Sequence, residues 1–345
     1  MGEPREPDPP HGRSDLTHRI PGWARLTGPL LLLAISTGCG LAIAEVGLRL
    51  AGFSYRTIPT VQFGWPEPEV IAESFVADRD LFWVPHDYAV RLSEARQLQP
   101  AIVFLGDSCT QFGTYPRLTL ERLRAAAPGL ARGVKLGVAG WSTAQGLTQL
   151  QRDILPLHPR VVTIYFGWND HWVALGPTDA EARPSASAWW LSQHCRLYQL
   201  VMKARVGMTR LDLRGRPNRV PLPEYESNLR QMAGDARAAG VRVVFITAPS
   251  AHRPGREPAY LAHRHVRDLR ELVPLHDSYL EATRRAARGS TLCDAARSFA
   301  ALPPPASRYF MKDGVHLARE GNERLADLLA RCIVAAASGA DSVLE

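Results

Sequence analysis

Lysine is scarce in this 345-residue chain. Lys135, Lys203 and Lys312 are the only three, and arginine supplies the rest of the 41 basic residues. Tight arginine clusters interleaved with aromatics are absent, as are the usual nucleic-acid motifs. The net charge of +7 therefore reads as a scattered, solvated surface with at most weak attraction for anionic surfaces, and no nucleic-acid partner is expected. Cysteine is also sparse. Cys39, Cys109, Cys195, Cys293 and Cys332 show neither a CxxC pair nor Cys/His zinc spacing, so no metal site is expected, and most read as small buried hydrophobes. A Cys195–Cys293 disulfide stays open, because sequence supplies no geometry for it. No internal repeat or long low-complexity tract is present, which excludes solenoid and propeller architectures.

One stretch has no charge at all. Leu26–Ala44 runs 19 residues, long enough for a bilayer span and long for a signal-peptide core. Arg13, Arg19 and Arg25 precede it; Glu45, Arg49 and Arg56 follow. The modest basic bias puts the N-terminus in the cytoplasm and the bulk of the chain outside it. A buried core helix, a cleaved signal peptide and a lipoprotein cysteine at Cys39 are the weaker readings. The expected organisation is a disordered cytoplasmic tail (1–25), a transmembrane signal anchor (26–44), a linker (45–80), a folded domain (81–337) and a short tail (338–345). An insertion near 178–223 contains Trp189-Trp190 and the arginine-rich LRGRPNR, and would form a lid, a substrate wall or a packing excursion.

Within the domain, apolar runs alternate with amphipathic stretches. Ala101–Leu105, Val134–Val138, Val161–Phe166 and Val241–Thr247 read as buried strands, with Thr291–Cys293 a weaker fifth. Helices are expected over Thr119–Ala127 and Thr148–Leu155, around Tyr225–Ala236, and along Leu325–Cys332. Strands apolar throughout and separated by helices indicate an α/β fold with a mainly parallel sheet covered on both faces. Ligands bind such sheets beyond the carboxyl ends of the strands. There stand Gly106-Asp107-Ser108, then Gly137-Val-Ala-Gly140-Trp141, then Gly167-Trp168-Asn169-Asp170.

Near the C-terminus stands Asp313-Gly-Val-His316. A serine hydroxyl needs a base to become a nucleophile, and histidine has a suitable pKa for that task. An acid three residues earlier can reach the second ring nitrogen and fix the tautomer. Backbone N–H groups of Ser108 and Gly140 and the amide of Asn169 could hold an oxyanion. Each piece alone is an ordinary turn; together, at successive strand ends, they form a constellation.

These blocks resemble the SGNH hydrolases, also called GDSL esterases/lipases. Gly106-Asp107-Ser108 is similar to the nucleophile block, Gly140 to the oxyanion glycine, Gly167-x-Asn169-Asp170 to the third block and Asp313-x-x-His316 to the acid–base block, over roughly Asp80 to Val334. The resemblance implies a three-layer flavodoxin-like sandwich, here following the N-terminal transmembrane helix expected from the uncharged run, and ester hydrolysis or acyl transfer without cofactor or metal. It implies catalytic Ser108, Asp313 and His316, and oxyanion donors at Ser108, Gly140 and Asn169. Cys109 departs from the family's better-known members, which carry leucine there; it is expected to face the core. Trp141, Trp168, His171 and Trp172 would line the pocket, and His252 is a further pocket candidate. The expected substrate is an ester-bearing small molecule, glycan or lipid. The alternatives are an O-acyltransferase acting on an envelope polysaccharide and a catalytically inactive carbohydrate-binding domain.

Overall fold

The structure, a computed structural model, describes residue 2 and residues 22–55, 73–174, 176–209, 215–263, 265–304, 306–339 and 343–344. Most of the expected tail and residues 56–72 of the expected linker lie outside the described residues. The chain divides into two units, Met1–Ser54 and Tyr55–Glu345.

In the first unit a helix spans Gly22–Leu50, longer at both ends than the uncharged run. Its Glu45 and Arg49 pair one turn apart, which lets the helix continue past Ala44. Gly28–Leu50 has a mean hydropathy of 1.9 and is long and apolar enough to cross a membrane.

The second unit is built on a six-stranded parallel sheet. Its strands are β3 (Ile102–Gly106), β4 (Gly133–Lys135), β5 (Val161–Tyr165), β6 (Arg242–Ile246), β7 (Thr291–Cys293) and β8 (Val343–Leu344), in the order β4-β3-β5-β6-β7-β8. A separate antiparallel hairpin, β1 (Phe75–Asp78) and β2 (Phe82–Pro85), precedes it. Side chains alternate across the sheet as a period of two demands. Val103, Leu105, Val162, Ile164, Val243 and Phe245 face one core, where Leu229, Met232 and Ala236 of the helix Leu222–Ala238 also pack. Ile102, Phe104, Val161, Tyr165, Val244 and Ile246 face the other, against Leu123 of Tyr115–Ala126 and Leu325, Leu329 and Ile333 of Arg319–Ala337. The result is three layers, helix–sheet–helix.

Several elements differ from expectation. β1 begins inside the stretch read as a linker, and β8 pairs with β7 inside the stretch read as a tail. The helix expected over Thr148–Leu155 starts earlier, at Thr143, because Ser142 and Gln145 form a capping box; it widens to a π-turn at Leu150–Ile154 and tightens over Leu155–Leu157. The described cysteines form no disulfide. Cys293 and Cys332 are both buried.

The strand order reverses direction at β3, with β4 on one side and β5 on the other. In such sheets this is where ligands bind, beyond the carboxyl ends of the strands at the switch point, here β3 and β5. Ser108 and Asn169 both follow those ends.

Candidate active site

β3 ends on Gly106, and only glycine fits there. A Cβ would lie 2.2 Å from Thr110 Oγ1 and 2.6 Å from the Tyr165 carbonyl oxygen. Asp107, fully buried, caps the single turn of helix Ser108–Phe112 by accepting the Cys109 N–H at 2.8 Å. Burial raises the Asp107 carboxyl to about 6. The cap leaves Ser108 part-exposed at the strand end. Cys109 points the other way, 5 % exposed, into the core with Tyr165. Burial, then the neighbouring Asp107 charge, pushes its thiol well above the ordinary value, so it is a poor nucleophile.

The Asp313–His316 turn arrives from the far end of the chain. Asp313 Oδ1 accepts the N–H groups of Val315 and His316, each at 2.9 Å, and Oδ2 lies 2.6 Å from His316 Nδ1. Nδ1 thus carries the proton, and Nε2 is the acceptor for the Ser108 hydroxyl 2.9 Å away. Burial works against the imidazolium, but the bond and charge of Asp313 outweigh it and hold His316 above its ordinary 6.5. Burial likewise raises Asp313, yet its bonds from His316 and Val315 prevail and hold the carboxyl below its usual value. Gly314 is glycine for two reasons: its φ is +71°, and a Cβ would lie 2.5 Å from His252 Nε2. That nitrogen donates to the Asp313 carbonyl at 2.8 Å, so His252 braces the turn.

Between β4 and the helix Thr143–Gln149, the turn at 138–143 packs against the Ser108 helix. Its N–H groups are almost all engaged. Val138 donates to Gly106 O, Ala139 to Gln111 Oε1, Trp141 to Val138 O, Ser142 to Gln145 Oε1 and Thr143 to Asp170 Oδ1. The exception is buried Gly140, whose N–H meets no acceptor among the described residues and whose φ is +78°. A buried unpaired N–H is costly unless something is meant to occupy it. Asn169 stands beside this turn: its amide nitrogen donates to the Trp141 carbonyl at 3.0 Å and lies 3.3 Å from Asp107 Oδ2. Asp170 is fully buried, and accepts the N–H and hydroxyl of Thr143 at 2.8 and 2.5 Å. Burial lifts its carboxyl to about 7.

The aromatic residues expected to line the pocket divide. Trp141 is fully buried, with its indole N–H donating to the Trp83 carbonyl at 3.0 Å, and is core. Trp168 is 2 % exposed and stacks on His276, ring centroids 4.0 Å apart. His171 is fully buried too. Its Nε2 donates to His276 Nδ1 at 3.1 Å, and His276 Nε2 donates to Ala248 O at 2.9 Å. Desolvation and the facing His276 hold His171 well below 6.5, so the pair is a neutral hydrogen-bonded core. Trp172 alone of the four is part-exposed, against His171 and His265. Among the described residues, no group of three His, Cys, Asp or Glu side chains could hold a metal.

Three residues near the site had no sequence signal of their own. Arg219 and Asp179, at the two ends of the expected insertion, form a buried two-pronged ion pair at 3.1 and 2.7 Å. Arg219 Nη1 also donates to the Gly140 carbonyl at 2.7 Å, and Ser142 Oγ to Asp179 at 2.6 Å. Trp83 of β2 donates its indole N–H to the Ala139 carbonyl at 3.0 Å. The insertion is thus joined at its ends to the turn that carries Gly140.

Comparison with known proteins gives the family. The chain belongs to the GDSL-like Lipase/Acylhydrolase family, which matches residues 104–324. It is accordingly a hydrolase acting on ester bonds. No curated protein matches it. Among solved structures it is similar to a putative GDSL-like lipase from Parabacteroides merdae (19 % identity, 68 % of this chain and 95 % of that one, TM-score 0.47). It is also similar to a lipase/acylhydrolase from Enterococcus faecalis (20 %, 68 % and 95 %, 0.45). An acetylxylan esterase from Geobacillus stearothermophilus is similar at 20 % identity, over 68 % of this chain and 93 % of that one, with a TM-score of 0.41.

Proposed function

We propose that the protein is a serine esterase with Ser108 as nucleophile, His316 as base and Asp313 as its orienting acid. As Ser108 Oγ bonds to the ester carbonyl carbon, its proton passes to His316 Nε2 and the carbonyl electron pair moves onto oxygen. The N–H groups of Ser108 and Gly140 and the Asn169 amide stabilise that oxyanion. The longer bond from Asn169, to Asp107, is the one the oxyanion displaces. Collapse breaks the bond to the alcohol oxygen, which takes the proton from His316. Water, deprotonated by His316, then attacks the acyl-enzyme; the acyl–Oγ bond breaks, Ser108 Oγ takes back the proton from His316, and the free acid leaves.

The observation that carries this reading is the continuous Ser108–His316–Asp313 chain, 2.9 and 2.6 Å, beside the unpaired Gly140 N–H. The side chains of His316 and Asp313 are 26 % and 33 % exposed, and Phe112 and Met311 flank them on the surface. Such an open site suits an ester borne on a large molecule, an envelope glycan or lipid. The N-terminal helix would hold the protein in the membrane with the catalytic unit outside the cytoplasm, following the arginine bias around it.

The test is hydrolysis of acetyl and longer acyl esters by the full-length chain in detergent, with free acid as the measured product. Ser108→Ala should abolish serine-dependent turnover while leaving the fold intact. Full activity in Ser108→Ala refutes the reading. Accumulation of acyl groups on added glycan in place of free acid redirects it to acyl transfer. Protease accessibility of the catalytic unit in intact spheroplasts checks the orientation.

A further inference from the structure

The turn carrying Gly140 can be followed one peptide plane at a time. In each planar unit the C=O and N–H lie on opposite edges, so holding one edge aims the other. The Gly140–Trp141 plane is held at both edges: Arg219 donates to the carbonyl at 2.7 Å, and the N–H donates to Val138 O at 3.3 Å. The Trp141–Ser142 plane is also held twice, by Asn169 at 3.0 Å and through Gln145 at 2.8 Å. The Ala139–Gly140 plane is different. Its N–H is the unpaired donor, and among the described residues its one hold is the Trp83 indole N–H on the Ala139 carbonyl at 3.0 Å.

We infer that Trp83 is a positioning residue that aims the Gly140 N–H at the oxyanion. This rests on the proposed serine-esterase reading and adds to it a residue outside the family-matched segment 104–324. Trp83 is well fixed for the task. It is fully buried in β2, and its own carbonyl accepts the Trp141 indole N–H at 3.0 Å, so two hydrogen bonds pin Trp83 to the turn. The Arg219 guanidinium lies 5.9 Å from its ring. Asp78 closes the hairpin by accepting the N–H groups of Asp80 and Leu81, and Arg152 anchors Asp78 at 3.0 Å. The hairpin therefore acts as a rigid strut behind the Trp83–Ala139 hydrogen bond. Without that bond the Ala139–Gly140 plane can rock, and the donor is aimed at the transition state for only part of the time. The ground-state ester does not depend on this donor, so the loss falls on kcat rather than KM.

The experiment compares full-length wild type, Ser108→Ala and Trp83→Phe in detergent. A fourth protein carries 3-benzothienylalanine at position 83, which keeps the bicyclic shape but has sulfur in place of the N–H. For each, kcat, KM, the affinity of phenylboronic acid as a tetrahedral adduct and the melting temperature are measured. Removing an oxyanion donor outright lowers kcat about 100- to 1,000-fold, so misaiming one should lower it roughly 10- to 100-fold. Both position-83 variants should show this loss with KM within about twofold, and phenylboronic acid should weaken in parallel with kcat. Wild-type kcat in the folded benzothienyl variant overturns the inference even if Trp83→Phe misfolds. A KM rise at unchanged kcat also overturns it. Activity in Ser108→Ala instead brings down the esterase reading itself, and the inference with it.

Discussion

His316 Nε2 lies 2.9 Å from Ser108 Oγ although 208 positions separate them in the chain. The contact exists because two turns at opposite ends of the domain are each closed by their own acid. Asp107 caps the Ser108 helix, and Asp313 folds its own turn around the His316 ring. Ser108 and His316 are thus each held by a neighbouring acid.

That arrangement sets the pH dependence. His316 must be neutral to accept the serine proton, and Asp313 holds its pKa above 6.5 despite burial. kcat/KM should therefore rise with pH through an inflection above 6.5, and be lost as the pH falls below it. A rate profile flat between pH 5 and 8 contradicts the assignment.

Gly106→Ala should destabilise the protein. The new Cβ meets Thr110 Oγ1, which can rotate, but also the Tyr165 carbonyl at 2.6 Å, which is strand backbone. Overpacking of this kind costs about 1–3 kcal/mol, read as a lower denaturant midpoint. Adding Thr110→Ala should not restore the midpoint, because the backbone contact remains.

Arg219→Met leaves the Asp179 carboxylate buried without its cation, a loss of about 3–5 kcal/mol. Denaturant unfolding of Arg219→Met and of the double variant Arg219→Met/Asp179→Leu checks this. The double variant should recover part of the loss, since the stranded charge is gone.

Asp170 gives a stability signature of its own. Its folded pKa of about 7 lies above the ordinary 3.8, so the folded state binds the proton more tightly than the unfolded chain. Stability from this group is fully present below about 4 and is lost as pH rises through about 7. Asp170→Asn should flatten the melting temperature across that window. Asp107, raised to about 6, leaves a residual slope of the same sign.

The parallel sheet was legible because its central strands are apolar on both faces: β3, β5 and β6 match the runs 101–105, 161–166 and 241–247 to within a residue at each end. The site blocks were legible because Gly106, Gly140 and Gly314 mark places where side chains do not fit or φ is positive. The supporting residues were not. Trp83 lies in a four-residue strand behind a proline-rich stretch, too short for a periodic signal. Arg219 is one of several arginines in LRGRPNR, and nothing local shows that Asp179, 40 residues earlier, is its partner. Trp141, Trp168 and His171 stand beside site residues in sequence, but the tight turns there direct their rings into the core. Adjacency in the chain did not predict which side of the turn each would take.

The most direct measurement is labelling of the full-length chain in detergent by a serine-reactive fluorophosphonate, with the adduct located by mass spectrometry. A single adduct on Ser108, lost in Ser108→Ala and strongly slowed in His316→Ala, is the predicted result. A folded protein that stays unlabelled, or one labelled equally well without His316, contradicts an activated Ser108.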